Sequence, residues 1–175
     1  MNIRAAFPED AAAIAHVHVA SWRSTYRGLL PDEFLANLSE ERRAEWWRQQ
    51  AEIAIKDPSR GVLLVVEQEN GQLVGFASAG PDLEADSGFD GELYAIYLLE
   101  AHQGKATGRG LFELVVDHFR RQGYGSMRVW VLEGNPAQSF YEHLGGERVE
   151  TKVLQIGGQD YDEVAYGWAQ LVVIK

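Results

Sequence analysis

One junction constrains this chain more than any other stretch. An apolar run from Leu93 to Leu99 reads as a buried strand, and Gln103-Gly104-Lys105-Ala106-Thr107-Gly108-Arg109-Gly110-Leu111 follows it. Leu111, Phe112, Val115, Val116 and Phe119 then recur at helical spacing, so an amphipathic helix is predicted from Lys105 to about Gln122. A buried strand feeding such a helix through a small, basic turn commits the chain to layered α/β packing. It also builds an anion site: the first helical turn leaves N–H groups unpaired, and the helix dipole favours negative charge there. Gly104 and Gly108 carry no Cβ to block close approach, and Lys105 and Arg109 add positive charge. A plain tight turn would use the same glycines. The spacing is not that of a G-x-x-x-x-G-K-[ST] loop. Gly108-x-Gly110 also lacks the third glycine and the later acidic residue of a dinucleotide fingerprint.

The other elements fall around this junction. Asn2 to Ala5 is a first strand. Pro8 opens a helix with Glu9 and Asp10 in its first turn, and Ile14, Val17, His18, Ser21, Trp22 and Thr25 carry it to about Tyr26. Gly28 and Pro31 interrupt. A second helix begins after Ser39, its cap, with Glu40 and Glu41 in the first turn, and Pro58 and Gly61 end it. Val62 to Gln68 and Gln72 to Ala79 are strands joined by Asn70-Gly71, a hairpin signal. Pro81 to Gly91 is acidic and reads as a flexible loop. Gly123 and Gly125 stop the central helix, and Ser126 to Leu132 is the next strand. Asn135-Pro136 starts a short helix that Gly145-Gly146 ends. Arg148 to Ile156 and Gln159 to Trp168 form a last hairpin around Gly157-Gly158. With no repeat, linker or low-complexity segment, residues 1–175 are expected to form one domain around one mixed sheet.

A chain of 175 residues, 46% hydrophobic and 24% charged, suits a single full-sized core. The absence of cysteine excludes disulfides and thiolate metal sites. No apolar stretch approaches the ~20 residues that span a bilayer, and the N-terminus is unlike a signal peptide, so a cytoplasmic protein with no membrane partner is expected. The net charge of -10 argues against nucleic acid, which calls for a basic footprint. It suits a cationic substrate drawn in by the long-range field, or simply a soluble surface.

Two motifs in this element order make the chain resemble the GNAT superfamily of acetyl-CoA-dependent N-acetyltransferases. The pattern [QR]-x-x-G-x-[GA] is matched by Gln103-x-x-Ala106-x-Gly108 after the fourth strand. A later Asn-Pro-Ala-x-x-Phe-Tyr-Glu-x-Leu-Gly is matched from Asn135 through Phe140, Tyr141 and Glu142 to Gly145. Ser21-Trp22-Arg23 and Gly28-Leu29-Leu30-Pro31 also look like segments of bacterial members. The resemblance implies a single α/β (α+β) domain. Its sheet would be mixed and mostly antiparallel, of six to seven strands flanked by about four helices, with the fourth and fifth strands splayed apart. It implies acetyl-CoA as acyl donor, no metal, and direct attack of a primary amine, most simply that of a small molecule, through a tetrahedral intermediate. A homodimer is common in similar proteins.

The resemblance also assigns residues. Backbone groups of Ile96, Tyr97 and Leu98 would pair with the pantetheine arm, and Gln103, Gly104, Lys105, Ala106, Thr107, Gly108 and Arg109 would hold the pyrophosphate. Tyr141 matches the tyrosine near the sulfur, and a phenol of pKa about 10 suits a general acid for a departing thiolate; otherwise it is an amphipathic core residue. Glu92 stands at the spacing of a strand-borne base. On a regular strand it would share a face with Tyr94, Ile96 and Leu98, and the rim of an apolar strand would raise its pKa; otherwise it marks a solvated strand end or binds a cation. Asn135 caps its helix, and by resemblance also contacts coenzyme A or a water near the thioester. Trp22 and Tyr26, with Trp46 and Trp47, come from the part that forms the acceptor wall in this family, although aromatic residues are also simply core.

The pattern departs from the family at three positions: Ala106 in place of glycine, Glu100 in place of proline and Gly146 in place of an aromatic. Ala106 keeps its N–H, so phosphate binding is weakened at most if its φ is negative. His16 and His18 face different directions on one helix and make no metal site, His102 reads as a turn residue, and Asp160, Asp162 and Glu163 are either exposed or meet an ammonium group. A non-catalytic acyl-CoA-binding module, a protein N-terminal or lysine acetyltransferase, and an unrelated nucleotide-binding α/β protein are the competing readings.

Overall fold

The computed structural model describes residues 1–84 and 86–171. Seven strands, β1 (Asn2–Ala5), β2 (Val62–Glu67), β3 (Leu73–Pro81), β4 (Gly91–Leu98), β5 (Met127–Leu132), β6 (Glu147–Ile156) and β7 (Gln159–Trp168), form one sheet in the order β1-β2-β3-β4-β5-β7-β6. Every neighbouring pair is antiparallel except β4 and β5. Five α-helices pack on this sheet: α1 (Ala11–Thr25), α2 (Asp32–Ala36), α3 (Glu40–Lys56), α4 (Thr107–Arg121) and α5 (Ala137–His143).

The helices divide between the two faces because their apolar stripes do. Leu111, Phe112, Val115 and Phe119 of α4 are fully buried against Leu64, Ala77, Leu93, Met127 and Val129, and α5 adds Tyr141 to the same cluster. Alternate strand residues point the other way: Leu63, Val65 and Phe76 pack with Ile14 and Val17 of α1 and Trp47 and Ala51 of α3. A third, smaller cluster of Tyr26, Leu30, Leu35, Leu132 and Ile156 ties the end of α1 and α2 to the β6–β7 hairpin.

Local signals set the ends of several elements. Ser39 caps α3, its Oγ accepting from Arg42 N–H at 3.3 Å. At the start of α1 a 3-10 turn at Pro8–Asp10 replaces the expected α-helical turn, and the Asp10 carboxylate accepts from Phe7 N–H at 2.8 Å. One element has no signal in the sequence and one expectation fails, both for non-local reasons. The five residues of α2 carry no periodic signal, and Arg23 holds their C-terminal carbonyls, with Nε 3.1 Å from Leu35 O and Nη2 3.3 Å from Ala36 O. The acidic segment after β3 is anchored rather than loose. Asp82 binds Arg128 at 2.7 Å, and the Asp90 carboxylate accepts from Gly125 N–H at 2.8 Å and Ser126 N–H at 3.2 Å.

The feature that positions the site is the parting of β4 from β5. Their ladder consists of Gly91↔Met127 and Glu92↔Arg128 alone. Immediately beyond, Leu93 opposes Ala79 while Ala95 opposes Ser78, so Tyr94 is an extra residue in β4. Such a bulge bends and over-twists its strand, and here it turns β4 away from β5. It also resets the side-chain alternation. Leu93 packs on the α4 face, as do Ile96 and Leu98, whereas Ala95 and Tyr97 pack on the α1 and α3 face. Glu92, next to Leu93, therefore does not share a face with Ile96 and Leu98; a strict two-residue period misplaces it because the bulge intervenes.

Candidate active site

The gap between β4 and β5 opens into a cavity of about 700 Å³ that runs through the sheet. Residues from both faces line it. Ile96, Leu98, Gly108, Phe140 and Tyr141 lie on the α4 side, and Tyr26, Tyr97 and Trp130 lie on the other. Asn135 joins the two sides.

The open edge of β4 supplies backbone groups. Leu99 N–H donates to Val74 O at 2.9 Å, and Leu98 pairs with Gly75. In an antiparallel ladder this register directs the N–H and C=O of Ile96 and Leu98 away from β3 and into the gap, while those of Tyr97 face Phe76. The main chain of Tyr97 is thus committed to the sheet, and it is the Tyr97 side chain that reaches the cavity. The Leu98 carbonyl already accepts from Ser21 Oγ at 3.4 Å and from Gln103 Nε2 at 3.0 Å. Gln103 closes the strand end instead of reaching outward.

The turn into α4 is longer than the sequence suggests. A 3-10 turn at Glu100–His102 precedes it, and α4 begins at Thr107 rather than Lys105. Gly104 has φ +71° and Ala106 has φ +61°, so both lie in the left-handed region. The first helical bond runs from Gly110 N–H to Ala106 O at 3.0 Å, which leaves the N–H groups of Thr107, Gly108 and Arg109 for a ligand. These three donors at a positive dipole end, beside an open strand edge, fit a diphosphate joined to an extended arm. A Cβ on Gly108 would stand 3.4 Å from the Phe140 ring and 3.6 Å from Leu98, in ordinary contact with both. The cationic side chains are engaged locally: Lys105 Nζ donates to Ala101 O at 2.9 Å, and Arg109 Nε meets Glu113 at 2.8 Å.

The condition set by the sequence for Ala106 is not met, because its φ is positive. An L-residue with a Cβ is strained there by about 1 kcal/mol. Ala106→Gly is therefore expected to raise Tm by roughly 2–4 °C for a domain of this size, without weakening coenzyme A binding. A thermal melt with no gain would show that the turn carries no such strain.

The ionisable groups follow from burial. Tyr141 is 5% exposed, its ring is packed by Phe140 and Tyr166, and no described residue hydrogen-bonds its hydroxyl. Burial, and then Tyr26 nearby, push its pKa above the ordinary phenol value. Glu92 is 8% exposed and accepts from Leu83 N–H at 3.4 Å. Burial raises its pKa above the ordinary carboxylate value, with a smaller push from Asp82. Its side chain does not line the cavity; it lies beside Arg128 at the paired end of β4 and β5.

Of the four aromatic residues considered for an acceptor wall, Tyr26 alone lines the cavity. Trp22 backs it, edge-on at 4.9 Å. Trp47 is core, with Nε1 donating to His18 Nδ1 at 3.1 Å, and Trp46 is 44% exposed. Desolvation, with a smaller push from the Arg43 charge, keeps His18 neutral, its pKa pushed down to about 3. Sequence reasoning missed Trp130, which lines the cavity with a buried indole N–H that has no acceptor among the described residues. Its alternation with Arg128 on β5 was the signal available. Among the described residues no cluster of three or more His, Asp or Glu is placed to hold a metal, and no helix is long and apolar enough to cross a membrane.

Residues 18–146 match the model of the acetyltransferase (GNAT) family. The chain is 38% identical over 175 residues to the uncharacterized N-acetyltransferase YuaI of Bacillus subtilis, covering 100% of this chain and 96% of that protein. It is 27% identical over 158 residues to the L-amino acid N-acyltransferase MnaT of Escherichia coli, covering 90% and 85%. The crystal structure of PaiA N-acetyltransferase from Thermoplasma acidophilum in complex with coenzyme A superimposes with a TM-score of 0.71 at 21% identity, over 93% of this chain and 96% of that one, which shows the shared fold. The donor turn, the parted strands and the full-length match to a relative agree: the chain belongs to the GNAT family and is an acetyl-CoA-dependent N-acetyltransferase.

Proposed function

We propose that this enzyme moves the acetyl group of acetyl-CoA to the primary amine of a small molecule. The observation that carries this reading is the cavity through the sheet. It joins the free N–H groups of Gly108 and Arg109, the open edge of β4, Tyr141 and the phenol of Tyr26 in one continuous space. The amino-acid acceptor in the name of the Escherichia coli relative supports a small molecule over a protein substrate.

Acetyl-CoA brings an activated acyl group. The start of α4 holds its diphosphate on backbone N–H groups, and Ile96 and Leu98 offer main-chain groups to the arm. Tyr141 stays protonated at neutral pH and donates to the sulfur as negative charge develops there. Glu92 is the base, reached through water because its carboxylate stands off the cavity wall.

Glu92 sets the sign of the pH dependence. A base works when deprotonated, and burial lifts its pKa. The rate should therefore fall as pH drops through a value above the ordinary carboxylate range. Glu92→Gln should lower kcat and flatten that limb; a limb of unaltered shape would reduce Glu92 to a structural role. The function itself is tested by thiol release from acetyl-CoA with putrescine, L-phenylalanine and glycylglycine as acceptors. Turnover with either of the first two above the dipeptide is expected, and preference for the dipeptide would favour a peptide acceptor.

A further inference from the structure

We propose, resting on the reading that the Tyr26 end of the cavity takes the acceptor, that Asn135 is a positioning residue that turns the Tyr26–Tyr97 hydroxyl pair into a cradle for the attacking amine. Asn135 is 4% exposed and uses its two amide ends in opposite directions. Its Oδ1 accepts from Ala137 N–H at 2.9 Å, in the first turn of α5. That contact fixes which end is oxygen, because a backbone N–H needs an acceptor. The amide NH₂ is left facing Tyr26, 3.3 Å from its hydroxyl oxygen. Tyr26 must therefore accept at this contact.

The consequence is a defined set of free groups. The Tyr26 and Tyr97 hydroxyls are 3.4 Å apart, so one donates to the other. Two hydroxyls carry two protons and about four acceptor sites. The bond within the pair uses one proton and one site, Asn135 uses a second site, and the buried Trp22 indole N–H, which faces the Tyr97 hydroxyl, takes a third. About one acceptor site and one proton remain, on two side chains that line the cavity. A primary amine attacking a thioester must aim its lone pair at the acyl carbon, so its two N–H groups need acceptors elsewhere. The pair supplies one of them and leaves the other to water. Burial keeps both phenols uncharged at neutral pH, so they hold N–H groups without the anion that would stabilise an ammonium. Tyr141 lies across the same cavity on the α4 side, so the amine and the donor to sulfur approach from opposite sides. Asn135 thus links the α5 cap to acceptor placement.

Steady-state kinetics with the best acceptor among putrescine, L-phenylalanine and glycylglycine, calorimetry with coenzyme A, and thermal melts test this. Tyr26→Phe is expected to lower kcat/KM for the acceptor roughly 10- to 100-fold, with coenzyme A affinity and Tm nearly unchanged. Asn135→Asp keeps an oxygen for the Ala137 N–H but replaces the NH₂ donor with a second carboxylate oxygen. Tyr26 must then donate to it, and the added charge favours the ammonium. The acceptor kcat/KM should fall about 10-fold at pH 7, and the pH–rate profile should move to higher pH. The double variant should be no worse than Tyr26→Phe alone. A wild-type acceptor KM and pH profile in Asn135→Asp would overturn the inference, as would a loss of coenzyme A affinity in its place. Should Asn135→Asp fail to fold, an unchanged acceptor kcat/KM in Tyr26→Phe would overturn it. If the wild-type enzyme binds coenzyme A but acetylates none of the three amines, the small-molecule reading fails first and takes this inference with it.

Discussion

Tyr141→Phe should lower kcat by about 100-fold or more and leave coenzyme A affinity within about twofold. The substitution removes one oxygen and keeps the ring, which fills a slot between Phe140, Tyr166 and Trp168. The hydroxyl has no partner among the described residues, so folding loses no internal hydrogen bond. On the proposed mechanism, what is lost is a donor that acts as the sulfur departs, when charge builds on it. Loss of an interaction made in the transition state lowers kcat and kcat/KM together and leaves ground-state binding alone. The raised phenol pKa sharpens the expectation. Such a group is fully protonated at neutral pH, and the contribution proposed for it is the hydrogen bond to the developing charge rather than release of its proton to solvent. An unchanged kcat would remove Tyr141 from the mechanism and leave it as a core residue.

Arg128→Met should cost about 3–5 kcal/mol of stability, a fall in Tm of roughly 6–20 °C for a chain of this length. Arg128 is 0% exposed, and its guanidinium meets Asp82 through Nε at 2.7 Å and Nη2 at 2.9 Å, Glu84 at 2.7 Å and Glu150 at 3.1 Å. Methionine fills much of the space but strands Asp82, whose side chain is 4% exposed, as a buried carboxylate. The penalty comes from the carboxylate left without a partner, not from the worth of the ion pair itself. The double variant Arg128→Met/Asp82→Leu should therefore recover most of the loss. The effect should reach activity as well, because this pair pins the segment after β3 beside the last paired residues of β4 and β5. A melt within about 2 °C of wild type would contradict this account of how the mouth of the cavity is fixed.

Features written in neighbouring residues were legible in the sequence. The cap at Ser39, the Asn70-Gly71 hairpin, the Gly157-Gly158 turn and the apolar stripe of α4 each depend on residues a few positions apart. The strand–turn–helix junction was legible for the same reason, and the resemblance built on it implied the parted strands. What escaped depends on distant chain. The bulge at Tyr94 arises from how β4 registers on β3, and it moved Glu92 to the other face. Arg128 reads as an outward strand residue until Asp82 and Glu84 fold over it, and those same acids made their segment look loose. The resemblance implies an acceptor-wall place for Tyr26, yet its bond to Asn135 spans 109 positions and has no sequence signature. The left-handed backbone at Ala106 is set by how the turn closes onto α4, which residue type alone does not encode.

The central claim is that an acyl-CoA lies with its diphosphate at the start of α4 and its sulfur between β4 and β5. A crystal structure of the enzyme with coenzyme A tests this most directly. It should place the diphosphate oxygens on the N–H groups of Thr107, Gly108 and Arg109, and the sulfur within hydrogen-bonding reach of the Tyr141 hydroxyl. A sulfur lying outside the gap between the two strands, or separated from Tyr141 by an intervening side chain, would contradict it.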